Sequence, residues 1–314
     1  MDWFVVFFAA ALLSVFSAGI YRKFNLSRKI VVGIDINKPK QPKVCESAGM
    51  ALLPVFILLG AYLYINGIWE AFPWVLLVGI FGIVGFMDDT RQKFFSKPVP
   101  WGIRAGIIGA VSFVFASLYA EPLLMAAPMA LYIAVLASFE NTFAGLNGWE
   151  VGSGFIISLA VAYSFIGSWL APLAFMLSGA ILGLLLWNKY PAKAFPGDSG
   201  TLAIGGGIAT LLVIQANLQM IIMGAMFFLP HMLDLLLKVL TNTGDMSQAR
   251  QRPYKLDGEG RIAIPGYKDG KTRYDFAKLI VRIAGPMKEW KLVAVIWAVV
   301  LINCLFVLAL FGKL

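Results

Sequence analysis

Residues 3–20 read WFVVFFAAALLSVFSAGI, with Asp2 before the run and Arg22-Lys23 after it. A bilayer core takes about 20 apolar residues of helix. A cleaved leader carries its positive charge first, and here the charge comes last, so the run reads as an uncleaved first span. The chain shows ten such runs in all, at 2–21, 48–66, 69–87, 102–119, 122–139, 153–168, 170–188, 200–215, 217–239 and 290–311. The composition agrees: 60% of the 314 residues are hydrophobic and 14% are charged, against about 25% charged in soluble domains. Soluble, disordered and disulfide-scaffold classes fall away. Cys45 sits in a basic loop and Cys304 in an apolar run, so the two cysteines make no framework.

The formal charge of +9 is distributed, not diffuse. Segments 22–47, 88–101, 189–199 and 240–289 hold most of the Lys and Arg, and the opposite ends of the runs are nearly bare. The positive-inside rule puts the basic loops in the cytosol. Of the 26 basic residues only Lys313 then lies outside. The expectation is an all-α polytopic membrane protein, a single catalytic unit over 1–314. It has about ten spans, both termini outside, an active site on the cytosolic face and a long cytosolic loop at 240–288 between helices 9 and 10. In that loop Tyr254–Ile264 reads as two short strands around Asp257-Gly258-Glu259-Gly260, a hairpin signal. Lys268-Asp269-Gly270-Lys271 gives a second turn. The basic balance is explained by topology, and no nucleic-acid partner is expected.

Charged groups inside a membrane are costly and usually functional. In this chain the middles of the runs are almost free of them. Asp88, Asp89, Glu140, Asn141, Asn147, Glu150, Asp198 and Asp234 gather at the cytosolic ends instead. A transporter places its polar site near the midplane, so this pattern favours a site where a water-soluble and a lipid substrate meet. Four clusters stand out. Asp88-Asp89 closes the third run, and adjacent carboxylates suit a divalent cation and its phosphates, although acidic helix ends are also merely solvated. Glu140 through Gly148 is a polar turn with Asn141, Gly145 and Asn147. Phe195-Pro196-Gly197-Asp198-Ser199-Gly200 sets one carboxylate on a tight turn opening a helix, where free N–H groups favour phosphate. Arg250-Gln251-Arg252-Pro253 pairs two guanidiniums, a fit for pyrophosphate or simply positive-inside charge. The string GDSG resembles a protease nucleophile, but His231 is the only histidine and nothing pairs it with Ser199. Together the clusters point to Mg²⁺-assisted phosphoryl chemistry. No Walker A or HExxH string is present.

These strings, with Asp35-Ile36-Asn37-Lys38-Pro39, Glu46-Ser47-Ala48-Gly49 and Gly85-Phe86-Met87 before the acidic pair, resemble the polyprenyl-phosphate N-acetylhexosamine-1-phosphate transferases. The chain is most similar to the dolichyl-phosphate GlcNAc-1-phosphate transferases of eukaryotes and archaea. The resemblance covers nearly the whole chain and keeps motif order. It implies transfer of GlcNAc-1-phosphate from UDP-GlcNAc to a polyprenyl (dolichyl) phosphate, giving GlcNAc-diphospho-polyprenol and UMP, the first membrane step of a lipid-linked glycan of the N-glycosylation type. By similarity Asn141 and Asp198 hold Mg²⁺, with Mn²⁺ as a substitute. Asn147, Phe195 and Gly145 line the uridine pocket, and Glu46 contributes to substrate binding. Lys97 and Arg252 bind phosphate, and Arg250 with Gln251 faces the sugar. Asp88 and Asp89 ready the lipid phosphate, as base or as orienting group. Two departures stand out: Thr90 follows the pair where the family usually has a third Asp or Asn, and the segment to Lys97 is one residue short. The muramyl branch has a histidine-rich motif where this chain has Arg-Gln-Arg, which weighs against a UDP-MurNAc-pentapeptide donor without removing it or another UDP-sugar. A permease or a lipid-binding scaffold is the reading from another class. The membrane is the cell membrane in a prokaryote and the endoplasmic reticulum in a eukaryote. A homodimer is left open. His231 and Asp234 share a helix face at i,i+3 and border the site or merely the core.

Overall fold

The computed structural model describes residues 2–95, 97–242 and 253–314. Helices dominate: α1 (Trp3–Arg28), α2 (Leu52–Ile65, led by a short 3₁₀ turn from Ala48), α3 (Ala71–Phe95), α4 (Trp101–Ser117), α5 (Ala126–Thr142), α6 (Trp149–Ser164), α7 (Ala171–Asn188), α8 (Gly197–Ile214), α9 (Leu218–Phe227), α10 (Leu229–Leu240), α11 (Phe276–Ala284) and α12 (Glu289–Leu310). Between the helices lie a second 3₁₀ turn (Leu123–Met125) and two antiparallel strand pairs: β1 (Val32–Ile34) with β2 (Lys43–Cys45), and β3 (Lys255–Leu256) with β4 (Ile262–Ala263). Seven helices are long and apolar enough to cross a membrane, and an eighth span results if α9 and α10 are taken as one broken span. These are the dimensions of a polytopic membrane protein.

Each of the ten apolar runs falls on helix, but not every one makes a long span. Helix α4 is a shorter apolar helix of 17 residues, and α6 has 16. The ninth run bends by 55° between α9 and α10. Pro230 stands at the start of α10 and cannot donate to the carbonyl four residues back. The freed carbonyls are not orphaned: Asn303 Nδ2 of α12 donates to Met226 O at 3.0 Å and to Phe227 O at 3.1 Å. A break at membrane depth is tolerated where a neighbour re-satisfies the backbone. The expected hairpin forms as β3–β4. The β1–β2 pair and the amphipathic α11 were not expected from the apolar pattern, since both are short and lie between spans.

Helix α8 is the axis of the bundle, buried from Ser199 to Ile214. Its glycines let neighbours reach its backbone. A side chain on Gly206 would meet the Phe81 ring at 2.3 Å, and one on Gly205 would meet Ala137 Cα at 2.8 Å. Trp74 Nε1 donates to Gly207 O at 3.1 Å in the same interface. Helices α1 and α7 use the small-residue pattern that lets membrane helices approach closely. Gly179 and Gly183 face α1 so closely that a Cβ would lie 2.1 Å from Phe7 O and 2.5 Å from Ala11 O. The other side of α1, with Phe4, Phe8, Leu12, Phe16 and Ile20 four apart, is exposed. Such a stripe is what a lipid solvent accepts.

Candidate active site

The site is assembled at one end of the bundle by short backbone contacts. Phe195 N–H donates to Cys45 O at 2.7 Å, Ala48 N–H to Phe195 O at 2.9 Å and Gly49 N–H to Pro196 O at 2.9 Å. These bonds lay the Phe195–Asp198 string along Glu46-Ser47. Two close approaches need glycine. A Cβ on Gly85 would lie 2.3 Å from the Asp198 carbonyl carbon, and one on Gly49 would lie 2.1 Å from Gly200 Cα. Gly197 at φ +65 turns the chain into α8.

The two acidic neighbours then part in role. Asp89 is the cap of α8: Oδ1 accepts Asp198 N–H at 3.0 Å, and Oδ2 accepts Ser47 Oγ–H at 2.7 Å and Ser199 N–H at 3.4 Å. A carboxylate over the free donors of a helix start is favourable. Asp88 faces elsewhere. Its Oδ1 accepts Val99 N–H at 2.5 Å and its Oδ2 pairs with Arg104 Nη1 at 2.9 Å. The same Nη1 pairs with Asp198 Oδ2 at 2.8 Å. Arg104 therefore links two carboxylates that are 110 residues apart (198 − 88).

A cavity of about 310 Å³ opens beside this cluster, and Glu46, Asn141, Gly145, Asn147, Phe195 and Asp198 all line it. Thr201 Oγ1 donates to Asn141 Oδ1 at 2.5 Å. Burial, with the Asp89 carboxylate nearby, pushes the Glu46 carboxyl above the ordinary range, and Lys93 pulls it the other way. Tyr254 covers the turn from the hairpin side, its hydroxyl bonded to Asp275 Oδ2 at 3.2 Å and set against Gly145. Burial, followed by the charges of Asp275 and Asp234, holds that phenol well above its usual value. A second cavity of about 510 Å³ runs between α4 and α5, lined chiefly by Trp101, Ala105, Ile108, Ala130, Leu131 and Ala134. Asn141 borders both cavities, and Arg104 stands in the wall of the second.

Of the expected residues, Lys97 is exposed in the α3–α4 turn and lines neither cavity. Arg250, Gln251 and Arg252 lie outside the described residues, and Pro253, just after them, lines the first cavity. His231 and Asp234 are fully buried. His231 Nε2 meets Glu140 Oε2 at 3.1 Å, and Asp234 Oδ1 accepts Phe276 N–H at 2.8 Å, so both serve the packing of α10 and line neither cavity. The residues missed were Arg104, Thr201, Asp35 and Lys38. Asp35 and Lys38 stood in a quoted string without a role, and Arg104 carried a signal only as a lone charge in the first turn of an apolar helix. Among the described residues no three His, Cys, Asp or Glu side chains converge as a metal cage. What lines the first cavity is an open pair of oxygen ligands, from Asp198 and Asn141, beside space for phosphates. Mg²⁺ is commonly bound this way, by one or two carboxylates plus substrate phosphates.

An apolar helical bundle with an oxygen-rich cavity at one end is an integral membrane protein with an enzyme-like site. The chain belongs to glycosyl transferase family 4, whose model matches residues 71–216, from α3 to α8. It is similar to a provisionally named glycosyltransferase of Methanocaldococcus jannaschii, with 30% identity over 95% of this chain and 94% of the relative. A provisionally named UDP-N-acetylglucosamine–dolichyl-phosphate N-acetylglucosaminephosphotransferase of Sulfolobus acidocaldarius is 28% identical over 85% of this chain and 84% of its own length. A phospho-N-acetylmuramoyl-pentapeptide-transferase of Lactobacillus gasseri is 26% identical over 76% of this chain and 75% of its own.

Proposed function

We propose that the protein transfers GlcNAc-1-phosphate from UDP-GlcNAc to a polyprenyl phosphate of the dolichyl type, releasing UMP. The observation that carries this reading is the shared border of the two cavities. The polar one has room and donors for a nucleotide diphosphate. The apolar one suits an isoprenoid chain, and Asn141 touches both. The name of the Sulfolobus relative supports the choice of substrates. In this reading the site faces the cytosol, the chain spans the membrane ten times counting α4 and α6, and both termini lie outside.

Asp198 and Asn141 would hold Mg²⁺, which when bound offsets negative charge at the pyrophosphate. The acceptor's second pKa is about 6, so it arrives largely ionised. A strong base is not required, and positioning with charge neutralisation supplies most of the rate. Asp88 and Arg104 orient the lipid phosphate at the mouth of the apolar groove. Asp89 keeps the first turn of α8 in place beneath Asp198. Lys97, Arg250, Gln251 and Arg252 supply further cationic or polar contacts to phosphate and sugar. UMP release by purified protein with UDP-GlcNAc, Mg²⁺ and polyprenyl phosphate tests the reading. It fails if UMP forms equally without the lipid, or not at all.

A further inference from the structure

Asn147 is held from two sides. Its backbone N–H donates to Glu289 Oε1 at 2.9 Å, and its side-chain Nδ2 donates to Asp35 Oδ2 at 2.9 Å. Lys38 Nζ joins the two acceptors, pairing with Asp35 Oδ2 at 3.3 Å and with Glu289 Oε2. The second Asp35 oxygen accepts Asn37 N–H at 3.3 Å, and Asn37 Nδ2 donates to Gly145 O at 3.0 Å. Asp35 and Asn147 are each 4% exposed, and Glu289 is 5% exposed. The ring of contacts ties the β1–β2 loop, the turn before α6 and the start of α12 around one amide.

An asparagine amide has two ends of nearly equal shape, one accepting and one donating, and by itself it can present either. A carboxylate accepts only. With Asp35 on one side, the NH₂ end of Asn147 is committed to it, and the carbonyl Oδ1 is left for the cavity that Asn147 lines. Uracil carries a hydrogen on N3, whereas cytosine carries a lone pair there.

We infer that Asp35 is a specificity-determining positioning residue: by fixing the amide of Asn147 it presents an acceptor to uracil N3–H and turns cytosine away. The inference rests on the uridine-nucleotide reading proposed above. A site built to pair a donor strongly rejects an analogue that lacks it, because the site's own polar group is left unpaired. Removing the lock should relax the choice of base without abolishing binding.

The test is calorimetric titration of UDP and of CDP into the purified full chain in detergent with Mg²⁺. It compares wild type, Asp35→Asn and the exchanged pair Asp35→Asn/Asn147→Asp. Wild type should prefer UDP by about 100-fold or more. In Asp35→Asn the introduced amide accepts either end of Asn147, and the preference should fall by about tenfold or more. In the exchanged pair the introduced amide donates to the introduced carboxylate, which can only accept, so the preference should return. A purely structural role for Asp35 predicts that both nucleotides weaken together with the ratio unchanged, and that result overturns the inference. So does a wild type that binds UDP without preferring it, or an exchanged pair that shows no preference. If Asp35→Asn does not fold, Asp35→Ser, whose hydroxyl can likewise donate or accept, takes its place with the same expected fall in preference. A wild type that binds neither nucleotide sinks the uridine reading as well. UDP binding with an unmoved ratio sinks only the role of Asp35.

Discussion

Asp89 accepts the backbone N–H of Asp198 at 3.0 Å, so the second carboxylate of the acidic pair caps the helix whose first turn carries the third. The two neighbours in sequence are thus separated in function. Asp88 pairs with the guanidinium of Arg104, which stands in the wall of the apolar cavity, and Asp89 holds the first turn of α8. Asp89→Ala strands Ser47 Oγ–H and two helix N–H groups. It should cost about 1–2 kcal/mol from the cap alone, and more for the donors left unmet. The check is the thermal midpoint in detergent, which should drop for Asp89→Ala and stay closer to wild type for Asp88→Asn. An unchanged midpoint for Asp89→Ala removes the cap from consideration.

Arg104 reaches Asp88 and Asp198 with the same nitrogen, at 2.9 and 2.8 Å. The contact is that of a point charge more than a planar fork. Arg104→Met should therefore lose about tenfold or more in kcat/KM, whereas Arg104→Lys should keep most of the activity. If Lys fails as badly as Met, shape and not charge is what the position needs.

Much of this site was legible in the sequence. Asp88, Asn141, Gly145, Asn147 and Asp198 stand out as polar residues or turn glycines gathered at the same ends of apolar runs, whereas Phe195 is reached only through the family resemblance. The second part was not legible, because it consists of pairings across the chain. Lys38 meets Glu289 at a separation of 251 residues, and no local pattern encodes that. Arg104 was absorbed by the positive-inside rule, which explains lone basic residues without asking what they touch. The same limit applied to Asp89: a string of two carboxylates does not say that one of them will cap a helix more than 100 residues later. For the fold, the apolar runs located the helices. The 55° break was missed because Pro230 stands within a run that, taken as a whole, is still apolar enough to read as one span.

Phe195 is half-buried in the wall of the polar cavity. Stacking of a base on an aromatic ring is worth about 1–3 kcal/mol. Phe195→Ala should raise KM for the UDP-sugar by about tenfold with kcat little changed. A fall in kcat alone would mean that the ring supports Asp198 and does not meet the base.

Ala134 lies in the wall of the apolar groove on α5, away from the polar cavity. Ala134→Trp should fill part of that space and raise KM for polyprenyl phosphate, leaving KM for UDP-GlcNAc near its wild-type value. Steady-state kinetics with each substrate varied in turn separates the two. Equal effects on both would place the lipid elsewhere.

In the proposed reaction a sugar phosphate, and not a bare sugar, passes from the polar cavity to a lipid held in the apolar groove. It is tested most directly with UDP-GlcNAc carrying tritium in the sugar and radiophosphate at the β position, incubated with purified protein, Mg²⁺ and polyprenyl phosphate. Both labels should enter the organic phase in equal amounts, with unlabelled UMP left in the water. Tritium alone in the lipid, with the radiophosphate retained as UDP, would contradict it.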